Sequence, residues 1–327
     1  MRPPSPSSGS AGSSGSTGRP APAGRTPRPR AGWAKQAGQA EQLGFAGMPE
    51  RLFVCTPSKL GAYLDCPRRY RYAYLDRPAP QKGPPWAHNS LGASVHTALK
   101  NWYALPADRR RPEALGRLLK GTWVREGYRD EEQERAVFTR ALGWLESYVG
   151  TLEAGEEPLG VERVVAVKTA VLAFNGRADR IDSRPGPNGP ELAIVDYKTG
   201  RTGLDADDAR GSAALALYAY AAERVFRRPC RRVELHHLPT GTVAAHDHTP
   251  ETLARQVSRA EETARDIVAA ERAVADGADP DDAFPTTAGP RCGWCDFRRV
   301  CPTGSQVEGR EPWAAVDRLT EADPTRS

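Results

Sequence analysis

The chain has 327 residues, enough for one large domain or two small ones, with 39% hydrophobic residues against 31 Gly and 29 Pro. Its net charge of +5 sits in residues 1–47, where Arg2, Arg19, Arg25, Arg28, Arg30 and Lys35 face only Glu41, so the basic balance says little about the rest. No apolar run reaches the ~20 residues of a membrane-crossing helix and no apolar signal core opens the chain, which leaves a cytoplasmic protein without a membrane partner as the expectation.

Residues 1–47, rich in Ser, Gly, Pro, Ala and Arg, cannot bury enough apolar surface to offset the entropy of ordering. They predict a disordered tail, with order beginning near Met48. Thr56-Pro57-Ser58 then supplies an N-cap and a first-turn proline for a helix to about Cys66. Apolar residues three and four apart predict further helices over 90–104, 112–127 and 131–150. The pattern changes at Val161–Phe174, which reads as a strand, followed by Gly176–Asp182 and, after a Pro/Gly-rich loop, Glu191–Lys198. These are three consecutive antiparallel strands. A helix over 208–226, strands Arg232–Leu238 and Thr242–His248, and a helix over 250–275 complete an α/β sheet flanked by helices. The stretch 303–327 reads as a polar, frayed tail.

Asp196 and Lys198 end an apolar strand and, two residues apart, face the same way. If the hairpin folds symmetrically about Pro187-Asn188, Asp196 lies opposite Asp179. Opposed residues have Cβ atoms about 5 Å apart, and two carboxylates so placed repel unless a cation lies between them. A divalent metal held by oxygens satisfies both, with Lys198 placed to stabilise charge on the attacking water or the phosphorane. An acid-x-Lys triplet arises by chance about once in a chain of this composition, so the strand-end context carries the weight.

Cys292 and Cys295, with Cys301, bring three thiols into one compact turn at C-x2-C-x5-C spacing. A structural site needs four ligands, and Cys55, Cys66 and Cys230 can supply the fourth. Cys66 is preferred because Pro67 follows it at a helix end. Spacing alone leaves zinc and an iron–sulfur cluster equally open.

Together these stretches resemble a known family. Thr56-Pro57-Ser58-Lys59-Leu60, Tyr63, Cys66-Pro67-Arg68-Arg69-Tyr70, Gly92-Ala93-Ser94-Val95-His96, Gly176-Arg177-Ala178-Asp179-Arg180-Ile181-Asp182, Val195-Asp196-Tyr197-Lys198-Thr199-Gly200 and the terminal cysteines recur in the order seen in RecB-type nucleases of the PD-(D/E)XK superfamily. The subgroup is the iron–sulfur one that includes AddB-like domains and the CRISPR-adaptation nucleases. The resemblance implies a restriction-endonuclease-like mixed sheet flanked by helices over 48–302, with a helical N-terminal part and an Fe–S-clasped C-terminus. It implies that His96, Asp179, Asp196 and the carbonyl of Tyr197 bind Mg²⁺ or Mn²⁺, with Lys198 as the catalytic lysine. Cys66, Cys292, Cys295 and Cys301 would hold a [4Fe-4S] cluster, with Zn²⁺ as the alternative. The implied activity is an exonuclease acting on single-stranded DNA or duplex ends in recombination and repair, with a helicase as a partner.

One departure stands out: the family's Gln-x-x-x-Tyr appears as Ala214 followed by Tyr218, a substrate-side residue by resemblance. A catalytically weak or inactive module that grips DNA ends or a helicase is therefore the competing reading. Arg68 and Arg69, among Tyr70 and Tyr72, suit a phosphate-tracking, base-stacking surface. Glu162, a carboxylate at a strand start, reads as solvated in preference to lying near the site, and His236, His237, His246 and His248 as a polar edge rather than a second metal site.

Overall fold

The computed structural model describes residues 52–152, 157–200, 203–317 and 319. The expected tail over 1–47, and order from Met48, lie outside these residues.

The helices at the start follow their sequence signals, except that the one expected over 112–127 opens as a 3-10 turn at Pro112–Ala114 and ends at Thr122. Thr56 caps α1 (Pro57–Asp65), its hydroxyl accepting from the Lys59 N–H, and after an extended Cys66 the chain turns helical again in α2 (Pro67–Tyr74). Next come α3 (Ala87–Tyr103), α4 (Leu115–Thr122) and α5 (Glu131–Gly150). Leu91, Val95, Ala98, Leu99 and Trp102 are buried on α3, a helical stripe that turns one face to the core.

Six strands form one mixed sheet: β1 (Phe53–Cys55), β2 (Gly160–Lys168), β3 (Leu172–Arg184), β4 (Glu191–Lys198), β5 (Cys230–His237) and β6 (Thr242–Asp247). The hairpin between β2 and β3 corrects the expected boundary. A single strand over Val161–Phe174 is broken at Thr169, whose hydroxyl accepts from the Val171 and Leu172 N–H groups in a tight turn without Gly or Pro. Gly176, read as the start of a separate strand, lies inside β3. A Cβ there would stand 2.4 Å from the Tyr218 ring, so glycine lets that aromatic pack against the strand.

Antiparallel β2 covers one edge of β3. The opposite edge is shared: parallel β1 pairs with Leu172–Phe174, antiparallel β4 with Arg180–Arg184. Between them that edge of β3 opens, and Asp179 stands in the opening. Two helices, α6 (Ala206–Gly211) and α7 (Ala213–Phe226), lead to β5, and this crossover is why β5 runs parallel to β4. The helix expected over 208–226 is split at Ser212, whose hydroxyl caps α7 by accepting from the Leu215 N–H. Buried Ala216, Ala219, Ala221 and Ala222 let α7 lie close on the sheet.

One core joins α7 and α8 (Pro250–Ala275) to Leu192, Ile194 and Val233 of the sheet. A second joins α3, α4 and α5 to Val195 and Tyr197. Short helices α9 (Pro280–Ala283), α10 (Pro302–Ser305) and α11 (Ala314–Asp317) follow. The segment past Thr303 is not simply a polar tail, because Val316 and Leu319 are buried in the second core. Two apolar residues in so short a stretch set up no readable period. Among the described residues, no helix is long and apolar enough to cross a membrane.

Candidate active site

Register places the two predicted carboxylates first. The β3–β4 ladder runs from Arg184↔Glu191 to Arg180↔Val195, and Asp179 and Asp196 occupy its next position, as hairpin symmetry predicts. There the strands stop pairing. The Tyr197 N–H, free of the ladder, donates to Asp179 Oδ2 at 3.0 Å.

His96 enters from α3. Its Nδ1 lies 3.2 Å from Asp179 Oδ2, and its Nε2 donates to the Tyr197 carbonyl at 3.0 Å. Burial opposes charge on this ring, but the hydrogen bond and negative charge of Asp179 outweigh it and raise the His96 pKa. Burial pushes the Asp196 carboxyl up and the charge of Asp179 adds to it, while an ion pair with Lys198 works the other way. His96, Asp179, Asp196 and Lys198 thus form one electrostatic group.

Sequence reasoning undervalued Glu162. Rather than standing solvated, its side chain is 12% exposed and pairs with Arg177 at 2.6 Å. It sits across from Asp179, between the paired positions Val161↔Arg180 and Arg163↔Ala178. Its backbone has φ 50°, a left-handed conformation that is rare for a residue other than glycine. Backbone strain of this kind costs on the order of 1–3 kcal/mol and gathers at functional sites. Ligand atoms of His96, Glu162 and Asp179 lie within 4.8 Å of one another. An imidazole nitrogen, two carboxylates and the nearby Tyr197 carbonyl suit a hard divalent cation, so the residues present fit the metal. The readable signal for Glu162 was its distance from the β2–β3 turn, which only the correct turn position reveals.

Tyr218 approaches from α7. Its ring packs against Gly176 and Phe174 of β3, and burial, then the charges of Asp196 and Asp179, push its hydroxyl up to about 12. Ala214, four residues before it, offers no polar side chain.

The arginines divide. Arg68 does not present a DNA-facing surface: its guanidinium is buried, donates to the carbonyls of Phe284 and Asp281 at 2.8 Å, and pairs with the Asp281 carboxylate at 3.0 Å. That commitment to a segment more than 200 residues away was invisible in a local pattern. Arg69 remains half exposed, paired with Asp65 at 3.0 Å. Tyr70 is buried and donates to Glu271 at 3.0 Å.

Cys66, Cys292, Cys295 and Cys301 line a single cavity of about 260 Å³. No three of their sulfurs come within 4.8 Å of one another. Burial raises the Cys295 thiol. Cys55 and Cys230, the other candidates for a fourth ligand, are buried in the first core.

A model of the PD-(D/E)XK nuclease superfamily matches residues 54–302. The chain belongs to this superfamily. Its members are generally metal-dependent nucleases, and the open mixed sheet flanked by helices agrees with their restriction-endonuclease-like fold. No curated protein matches the chain. A solved structure titled "Crystal structure of SSO0001" is similar at 17% identity over 77% of this chain and 87% of that one, with a TM-score of 0.32, too slight a likeness to carry an argument.

Proposed function

We propose that the chain is a Mg²⁺- or Mn²⁺-dependent DNA nuclease of the RecB type, hydrolysing phosphodiesters as an exonuclease on single strands or duplex ends. The observation that carries this reading is the convergence of His96, Glu162 and Asp179 within 4.8 Å, on the strand register that also sets Asp196 opposite Asp179. A divalent ion bound here would polarise the scissile phosphate and lower the pKa of the attacking water. The chain's own groups do the rest. Asp179 and Asp196 offer carboxylate oxygens, His96 holds the Tyr197 carbonyl in place, and Glu162 closes the donor set from β2. Lys198 offsets the charge of Asp196 and presents an ammonium where negative charge develops on the phosphate.

The order of motifs supports the finer parts of this reading: the RecB/AddB subgroup, recombination and repair, and a helicase partner. For the cysteines, the resemblance points to a [4Fe-4S] cluster with zinc as the alternative, and the four line one cavity.

A second reading, a nuclease-like module that binds DNA ends or a helicase without cutting, draws on Ala214 in place of the family Gln. Labelled single- and double-stranded DNA incubated with Mg²⁺ or with EDTA separates the two. Cleavage that needs the ion supports the nuclease; binding without cleavage under both conditions supports the module.

A further inference from the structure

A cavity of about 400 Å³ opens beside the end of the catalytic strand. Its walls are His88 and Leu91 on the first turns of α3, Thr199 and Gly200 after Lys198, Trp294, and the chain around Arg310 and Val316. This volume falls within the range of small-ligand pockets. The active site described above uses none of these residues, and the cysteine motif leaves Trp294, between Cys292 and Cys295, without a role.

We propose that this cavity receives an unpaired base of the DNA strand being cut, stacked against Trp294. The inference rests on the nuclease reading for its substrate. Three features argue for a base. Trp86, His88 and Trp294 form an aromatic cluster, with the Trp86 and Trp294 centroids 5.4 Å apart and each 5.8 Å from His88. Trp294 is 38% exposed, so part of its surface remains open for stacking. His88 lines the cavity beside Trp294, and burial lowers its pKa, which keeps the ring neutral beside a base.

Charge and position point to the same strand. Arg310 lines the cavity and has no carboxylate partner among the described residues, so its guanidinium is available to a phosphate. Gly200 is two residues beyond Lys198, at most about 7 Å along an extended chain. Gly92, one helical turn before His96, approaches the same segment: a Cβ there would stand 3.7 Å from Thr199 Oγ1. The cavity therefore adjoins the metal ligands. A base in duplex DNA is already stacked on both sides, so this site takes single strands or frayed ends.

The test uses the full chain and fluorescent single-stranded oligonucleotides with Ca²⁺ replacing Mg²⁺, in a series that carries one abasic position moved along the strand. Wild-type affinity should fall about tenfold at one position and stay level elsewhere. Trp294→Ala should bind the intact strand about tenfold more weakly and lose its sensitivity to that abasic position, whereas Trp294→Phe should retain both. Equal affinity of the wild type for every abasic strand, or undiminished sensitivity in Trp294→Ala, would overturn the proposal. Should Trp294→Ala not fold, as circular dichroism would reveal, the wild-type series decides, with His88→Ala as the second variant. Cleavage with Mg²⁺ but a flat abasic series removes the pocket and leaves the nuclease. A position-dependent loss of binding without cleavage does the reverse.

Discussion

Asp179 accepts a hydrogen bond of 3.0 Å from the backbone N–H of Tyr197, at the point where β3 and β4 cease to pair. The bond replaces a ladder contact and so satisfies a donor that the fork would otherwise leave unpaired. It also fixes Tyr197, whose carbonyl meets His96 and whose side chain is buried in the second core. The opening beside the carboxylates is thereby built into the sheet.

Glu162 is held at φ 50°, a backbone conformation that suits glycine. Glu162→Gly should leave thermal stability unchanged or raise it by about 1 kcal/mol. The same variant should weaken Mn²⁺ binding by tenfold or more, the scale of losing a group that supports a metal. Calorimetric unfolding and Mn²⁺ titration followed by electron paramagnetic resonance read the two effects separately.

Behind the site, six side chains close a buried ring. Arg180 donates to Tyr148 at 2.8 Å and to Asp182 at 2.8 Å; Arg184 joins Asp182 to Glu234; His236 links Glu234 back to Tyr148. Removing one member leaves its neighbours short of a partner in the interior. Arg180→Met should cost about 1–3 kcal/mol in urea unfolding, because Asp182 keeps only Arg184 and the Tyr103 and Tyr148 hydroxyls lose their donor. Tyr148→Phe should cost about 1–3 kcal/mol, because Arg180 and His236 each lose a partner.

Glu234 gives the ring a pH dependence. Burial favours its protonated form, but hydrogen bonds from His236 and Arg232 and their positive surroundings win, and its carboxyl is held at about 2, below the ordinary 4.5. A depressed carboxyl contributes stability that is complete above the unfolded pKa and is lost as pH falls through the folded one. Stability should therefore decline by on the order of 3 kcal/mol between about pH 5 and pH 2, and Glu234→Gln should flatten part of that decline. Urea midpoints across this range check it.

The cysteine cavity makes a prediction of colour. Anaerobically purified protein should absorb near 400 nm, roughly where iron–sulfur charge transfer lies. Cys292→Ser should lose the band. A colourless protein carrying one equivalent of zinc would replace the cluster with zinc.

Much of this was legible in the sequence. The Asp179–Asp196 register followed from hairpin symmetry, because the β3–β4 loop is compact and the ladder carries no bulge up to the fork. His96, Lys198 and Tyr218 were singled out through motif resemblance, since an isolated histidine after Val95 has no local pattern to mark it. β1 was missed because three residues give no readable alternation, and it is a strand only through its pairing with β3. Arg68 was misplaced because its partners, Asp281 and Phe284, are distant in the chain. Glu162 was undervalued because the Thr169 turn lacks Gly and Pro, so its register with Asp179 stayed hidden.

The most direct test of the central claim is the cleavage of end-labelled DNA by the wild type and by Asp196→Asn, which keeps the shape of the side chain and removes its charge. The account predicts cleavage by the wild type only when Mg²⁺ or Mn²⁺ is present. It predicts a loss of at least about a hundredfold in Asp196→Asn, with an unchanged circular dichroism spectrum. Cleavage by Asp196→Asn at the wild-type rate, or by the wild type in EDTA, would contradict it.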